Sequence, residues 1–131
     1  LKKEKLYLHG GGTSKRSFIH IDDVNTALSK IISKGKIGET YHISTNEKIS
    51  ILTLVKFICK EMNYNVEDLI INTEDRIGKD QNYFLNSNKI RKNLNWKNHI
   101  NIEDGIHRVI NWIEINSKSL LKHHTKYIHK K

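Results

Sequence analysis

A chain of 131 residues, 37% hydrophobic and 28% charged, is sized for one buried core and does not have the composition of a disordered segment. No apolar run approaches the ~20 residues that cross a bilayer, and the first residues carry no secretory pattern. The single cysteine, Cys59, excludes an internal disulfide and fits a reducing cytoplasm.

The formal charge of +9 admits three kinds of partner: nucleic acid, an anionic membrane or a phosphorylated small molecule. The chain is rich in Lys, Asn and Ile and lacks proline, the bias of an AT-rich coding sequence. Only four of its twenty-three cations are arginine, the residue that reads nucleic acid with a bidentate fork. With no nucleic-acid motif present, that partner and the membrane are set aside.

In chain order, Leu6 to His9 is a short apolar stretch, followed by Gly10-Gly11-Gly12 and the strand-like run Ser17 to Ile21. A hairpin about the glycines is the natural reading. A phosphate loop is the weaker one, since no Lys-Ser/Thr pair and no G-x-G-x-x-G follow. Asp22 or Asp23 then caps a helix with Val24, Ala27, Leu28, Ile31 and Ile32 on one face. Gly35 and Gly38 end it, with Lys30, Lys34 and Lys36 near the negative end of its dipole. Residues 39–45, "ETYHIST", read as a buried strand. Ser50 caps a second helix with the stripe Ile51, Leu54, Val55, Ile58 and Met62, and Cys59 falls within it as a packed thiol. Residues 69–75 read as a strand, and "DRIGKDQNYF" as a loop entering an extended piece. Ser87 caps a short helix carrying Ile90 and Leu94. Asn101, with Asp104 as an imperfect capping box, opens the last helix, striped by Ile102, Ile106, Val109, Ile110 and Ile113. Beyond Glu114 there are no acids, and lysines recur every four residues from Lys118. A basic helical extension is one reading, and a solvated tail over 117–131 is preferred. The order is that of an α/β or α+β unit.

No catalytic site assembles from these residues. The histidines show no metal spacing, His20 reads as a core residue, and Ser14 and Ser17 lack a triad context. Two cationic places remain. Arg16 stands at the mouth of an apolar run, and "DRIGKD", residues 75–80, sets Arg76 and Lys79 about a glycine. Two cationic loops suit a diphosphate, and two unrelated surface loops explain the spacing equally well.

Four segments carry a resemblance. "RSFIHIDDVNTAL", "GKIGETYHIST" with "NEKIS", "DRIGKDQNYFLNSNKIRKNLNWK" and "IEDGIHRVINWI" resemble, in order, segments of the extended short-chain dehydrogenase/reductases. Within these they resemble the NAD-dependent epimerase/dehydratase family. The third resembles the D-R-P-G-H-D and L-G-W-K-P signature of dTDP-glucose 4,6-dehydratases. The match runs from about Leu6 to Asn116. It implies the C-terminal, substrate-binding part of such an enzyme over 1–116, an α/β or α+β fragment of short strands and about four helices. A separate N-terminal Rossmann half would hold NAD, and this chain alone is expected to bind no cofactor or metal and to hold no catalytic residue. By position, Arg16 and Arg76 match arginines that grip the pyrophosphate of a nucleotide-diphosphate sugar. Asp75 to Lys79 matches the substrate loop, and Ser50 a substrate-contacting Asn. Ile77, Lys79 and Ser50 depart from the family's Pro, His and Asn, and His42 and Ser44 from its Tyr-Asn-x-Gly strand. The resemblance further implies a cytoplasmic enzyme of polysaccharide biosynthesis, homodimeric when intact. A UDP-sugar 4-epimerase or reductase of the same superfamily, and a stand-alone basic binding module, are the alternatives.

Overall fold

The computed structural model describes residues 4–75 and 77–122. Its strands are β1 (Leu6–His9), β2 (Lys15–Arg16), β3 (Ile49–Ser50), β4 (Ile70–Thr73) and β5 (Asn82–Tyr83). Its helices are α1 (Ile21–Lys34), α2 (Ile51–Glu61), α3 (Asn88–Leu94) and α4 (Ile102–Leu120). This is a mixed α/β fold of four helices and short strands, as the sequence led us to expect.

The strands pair differently from the expected hairpin. β1 lies parallel to β4, Leu6 opposite Ile70 and His9 opposite Thr73. β2 is the middle strand of a second sheet, antiparallel to β3 and parallel to β5. Gly10, Gly11 and Gly12 all take positive φ, +57°, +62° and +65°, and wind one turn of 3-10 helix between the two sheets. The turn delivers the chain to new partners instead of folding it back.

The run 18–20 is not a strand, and α1 begins at Ile21. The cap is His20, whose Nδ1 accepts from the Asp22 amide at 3.2 Å, so neither aspartate caps α1. Asp23 is 2% exposed, and its two oxygens accept from the amides of His99 (2.9 Å) and Ile100 (3.0 Å). One carboxylate thereby ties the entry of α4 to the first turn of α1. The Trp96 indole reinforces this tie, donating to the Asp23 carbonyl (3.2 Å) and the Thr26 hydroxyl (3.1 Å).

The core is Ala27, Ile90, Leu94 and Trp96, with Ile19, Ile31, Tyr41 and Ile43 packed around it. It reaches only part of the α1 stripe. Ala27 is buried, and Val24 and Ile31 are half-buried. Leu28 and Ile32 are exposed at 45% and 86%, contrary to the expected single buried face. The apolar arc of α1 is wider than the α3–Trp96 surface it meets. Lys30 does not serve its own helix terminus. Its ammonium reaches the carbonyls of Asn95 (2.6 Å) and Leu94 (3.4 Å) and so caps the end of α3. Asn95 itself takes φ +48°, filling the left-handed position where the family signature has glycine.

Residues 39–45 keep the inside–outside alternation of a strand, with Tyr41 and Ile43 inward, but form no ladder among the described residues. Their end is fixed by side chains. The Ser44 carbonyl accepts from Ser87 Oγ and from Arg91 Nη2, both at 2.9 Å. Ser87 is therefore spent on this link, and the amide of Asn88 is capped instead by Asn86 Oδ1 at 2.9 Å.

Ser50 and Asn101 cap as expected. Ser50 Oγ accepts from the Thr53 amide at 3.0 Å, and Asn101 Oδ1 from the Asp104 amide at 2.8 Å, with Asp104 answering the Asn101 amide group. The α2 stripe is half-buried throughout, and burial raises the pKa of the Cys59 thiol. In the α4 stripe Val109 is 49% exposed, and the others are half-buried. The helix continues to Leu120, into the segment expected to be a tail. Residues 123–131 lie outside the described residues.

Removing the Asp23 carboxylate leaves the part-buried amides of His99 and Ile100 without the acceptors they use. Asp23→Ala is expected to cost roughly 3 kcal/mol in urea denaturation of the whole chain, and Asp23→Asn, which keeps one acceptor, less. Equal stability for all three proteins would show that the carboxylate does not hold α4.

Candidate functional site

β2 is only two residues long, yet it pairs on one side with the strand that holds Ser50 and on the other with the strand that follows the loop of Asp75 and Lys79. Lys15 stands opposite Ser50 on one side and Asn82 on the other, and Arg16 opposite Ile49 and Tyr83. The Lys15 amide donates to the Gln81 carbonyl at 2.8 Å, and Ile51 N to the Ser14 carbonyl at 3.1 Å. The chain at β2 is thus fixed from both flanks by backbone bonds.

The Arg16 side chain follows the same path. Its Nη1 donates to the Lys15 carbonyl at 2.7 Å and its Nη2 to the Asp80 carbonyl at 2.8 Å, across 64 residues of sequence. The two cationic motifs therefore meet: Arg16 lies against the loop that runs from Asp75 to Gln81. Arg76 lies outside the described residues. Gly78, at φ +77°, turns the loop.

Lys79 points inward. Its side chain is 12% exposed and its ammonium lies 2.9 Å from Asp75 Oδ1 and 3.2 Å from the His9 carbonyl. Gln81 Nε2 donates to the other Asp75 oxygen at 3.0 Å. The Ser50 hydroxyl is engaged at the start of α2, with the Thr53 amide and, at 2.8 Å, the Thr53 hydroxyl. By the pleat, Ser50 shares a sheet face with Lys15 and Asn82, while Arg16 shares the other with Ile49 and Tyr83.

Sequence reasoning missed Lys15, Gln81 and Asn82 as neighbours of the site. Their place follows from strand pairing across the whole chain, which no local pattern records. It also missed the exposed aromatics beside Arg16. Tyr83 and Phe84 are 57% and 51% exposed, and Lys48 Nζ lies 3.4 Å from the Phe84 ring centroid. Ser17 Oγ is buried without a partner among the described residues.

A groove of about 270 Å3 lies elsewhere, between residues 18–20, α2 and α4, lined by Phe18, His20, Leu54, Ile58, Ile106 and Ile110. Its walls are apolar and offer an anion almost nothing. No cluster of three potential metal ligands occurs among the described residues, and no described helix is long and apolar enough to cross a membrane.

Comparison with known proteins identifies the family. The family described as GDP-mannose 4,6 dehydratase matches residues 1–109. A trifunctional UDP-glucose 4,6-dehydratase/epimerase/reductase of Arabidopsis thaliana is 34% identical over 107 residues, 82% of this chain and 16% of that protein. The dTDP-glucose 4,6-dehydratase of Mycobacterium tuberculosis is 32% identical over 116 residues, 88% of this chain and 34% of that protein. Among solved structures, dTDP-glucose 4,6-dehydratase of Bacillus anthracis in complex with NAD superposes with a TM-score of 0.79 at 28% identity, covering 88% of this chain and 36% of that one. Bordetella bronchiseptica WbmF, in complex with NAD+ and UDP, gives 0.77 at 28%, covering 92% and 35%. The chain thus spans about a third or less of the length of the relatives it matches. Its short strands and four helices match the C-terminal part of the dehydratase and epimerase structures. With the family matched over 109 of 131 residues, the chain belongs to the GDP-mannose 4,6 dehydratase family, within the NAD-dependent epimerases and dehydratases.

Proposed function

We propose that this chain is the substrate-binding part of a nucleotide-sugar 4,6-dehydratase and that it holds the nucleotide diphosphate. One observation carries the reading: parallel pairing of β2 with β5 lays Arg16 against the loop 75–81. Among the described residues the guanidinium is bonded to carbonyls, at 2.7 and 2.8 Å, and to no carboxylate. An incoming pyrophosphate exchanges these for charge-assisted bonds, worth roughly 1.5–3 kcal/mol each. Arg76, next to Asp75 in sequence, is assigned the second fork by the family resemblance alone. Asp75 and Lys79 shape that loop, and Ser50 lies one register position away at the start of α2.

Solved relatives are complexes with NAD or NADH. The residues here do not fit that cofactor. The chain has no G-x-G-x-x-G, and its one Tyr-x-x-x-Lys spacing, Tyr127 to Lys131, lies outside the described residues. The NAD site and the catalytic residues are then supplied by a Rossmann half, on the same or another polypeptide, in a cytoplasmic enzyme that is homodimeric when intact. The surface for that half is the exposed stripe Leu28 and Ile32 with Ile37, beside the ladderless segment 39–45. A UDP-sugar 4-epimerase origin has the support of shared fold alone, at 23% identity and a TM-score of 0.75.

Two outcomes follow. Arg16→Ala is expected to weaken dTDP or UDP binding by about 10–100-fold in calorimetry, with little loss of thermal stability, and Arg16→Lys to restore part of it. Equal loss of binding and folding would make Arg16 structural. The purified chain is expected to bind no NAD in equilibrium dialysis and to leave dTDP-glucose unconverted. Turnover by this chain alone would contradict the division of labour proposed here.

A further inference from the structure

Lys79 carries the charge one would first assign to a phosphate, yet its position speaks for another task. Its side chain is 12% exposed, and its ammonium is bound on one side by Asp75 Oδ1 at 2.9 Å and on the other by the His9 carbonyl at 3.2 Å. His9 belongs to β1 and Lys79 to the cationic loop, so this single group joins segments 70 residues apart. Asp75 is shared, because its second oxygen accepts from Gln81 Nε2 at 3.0 Å.

The glycine turn is cut to receive this pair. A Cβ on Gly10 would stand 2.4 Å from the Asp75 carboxyl carbon, and Gly10 has φ +57°, so both space and backbone demand glycine. Next to it, His9 Nδ1 meets Thr73 Oγ1 at 2.9 Å, fixing the approach of β4 to the loop.

We propose that Asp75 and Lys79 are positioning residues: a latch that holds residues 77–81 against the glycine turn, so that the Asp80 carbonyl stays where Arg16 meets it. The proposal rests on the diphosphate reading for its ligand, though not for its geometry. Two of the three Lys79 N–H donors are used by Asp75 and His9, and a phosphate taking the third would stand beside the Asp75 carboxylate, an arrangement that like charge disfavours. As a latch, its charge is satisfied by Asp75, and Arg16 stays available to the ligand.

The test uses the full chain, with dTDP and UDP as probes in calorimetry and amide hydrogen exchange over residues 77–82 as a readout without ligand. Asp75→Asn, Lys79→Met and their combination are compared. A latch predicts that each single change raises Kd about tenfold. It predicts that the pair is no worse than the worse single change, because both break one unit. Exchange over 77–82 should quicken in all three, and Gly10→Ala should do the same. Should Asp75→Asn fail to fold, Lys79→Met, which keeps the buried stem, carries the comparison. Tighter binding by Asp75→Asn with weaker binding by Lys79→Met would make Lys79 a phosphate ligand and overturn the latch. If the unaltered chain binds neither nucleotide, the diphosphate reading falls. The latch then stands or falls on exchange alone: quickened exchange supports it, and unchanged exchange overturns it.

Discussion

A two-residue strand organises the functional face of this protein. β2 contributes only Lys15 and Arg16, but it is the middle strand that joins β3 to β5 in their sheet. Through β3 it fixes the start of α2, and through β5 it draws in the loop that follows β4. The Lys15 amide and the Arg16 guanidinium both end on carbonyls of that loop, Gln81 and Asp80. Without this pairing the two cationic motifs are separate surface loops. With it the Arg16 guanidinium lies against the Asp80 carbonyl of the second motif.

The body behind that edge is held by a second non-local tie. Asp23 accepts two amides ahead of α4, while Trp96 seals the same corner with its indole N–H. A buried carboxylate with both oxygens engaged by backbone donors is well satisfied, and it fixes direction as well as stability. Ala27, Ile90 and Leu94 then close over Trp96. The core stops there. The outer half of the α1 stripe and the segment 39–45 keep apolar or strand-like patterns that nothing among the described residues completes. This agrees with the third of a relative's length that the chain spans.

What could be read in the sequence was whatever depends on near neighbours. Helical spacing found α1, α2 and α4, and Ser50 and Asn101 cap as their side chains suggest. The strand at 70–73 was legible from its apolar run. Pairings were not. The glycine turn looked like a hairpin because β1 and the next apolar run are adjacent in sequence, whereas the actual partner of β1 lies over sixty residues on. Asp22 and Asp23 looked like caps by residue type. A histidine took that role, and Asp23 was free to bind amides from a distant loop. Arg16 and the 75–80 motif were singled out by charge and glycine content, but only the β2–β5 register brings them to one place. Charge also singled out Lys79, but its pairing with Asp75 and its contact with the His9 carbonyl depend on packing that no local pattern records.

The central claim is that an anionic nucleotide binds at the edge formed by β2, the glycine turn and the loop after β4. The most direct measurement is a titration of the isotopically labelled chain with dTDP, followed by amide chemical shifts. The account predicts saturable shifts concentrated at residues 10–16 and 77–83, with Arg16 among the largest. Shifts confined to the apolar groove between α2 and α4, or to the lysines beyond Glu114, would contradict it.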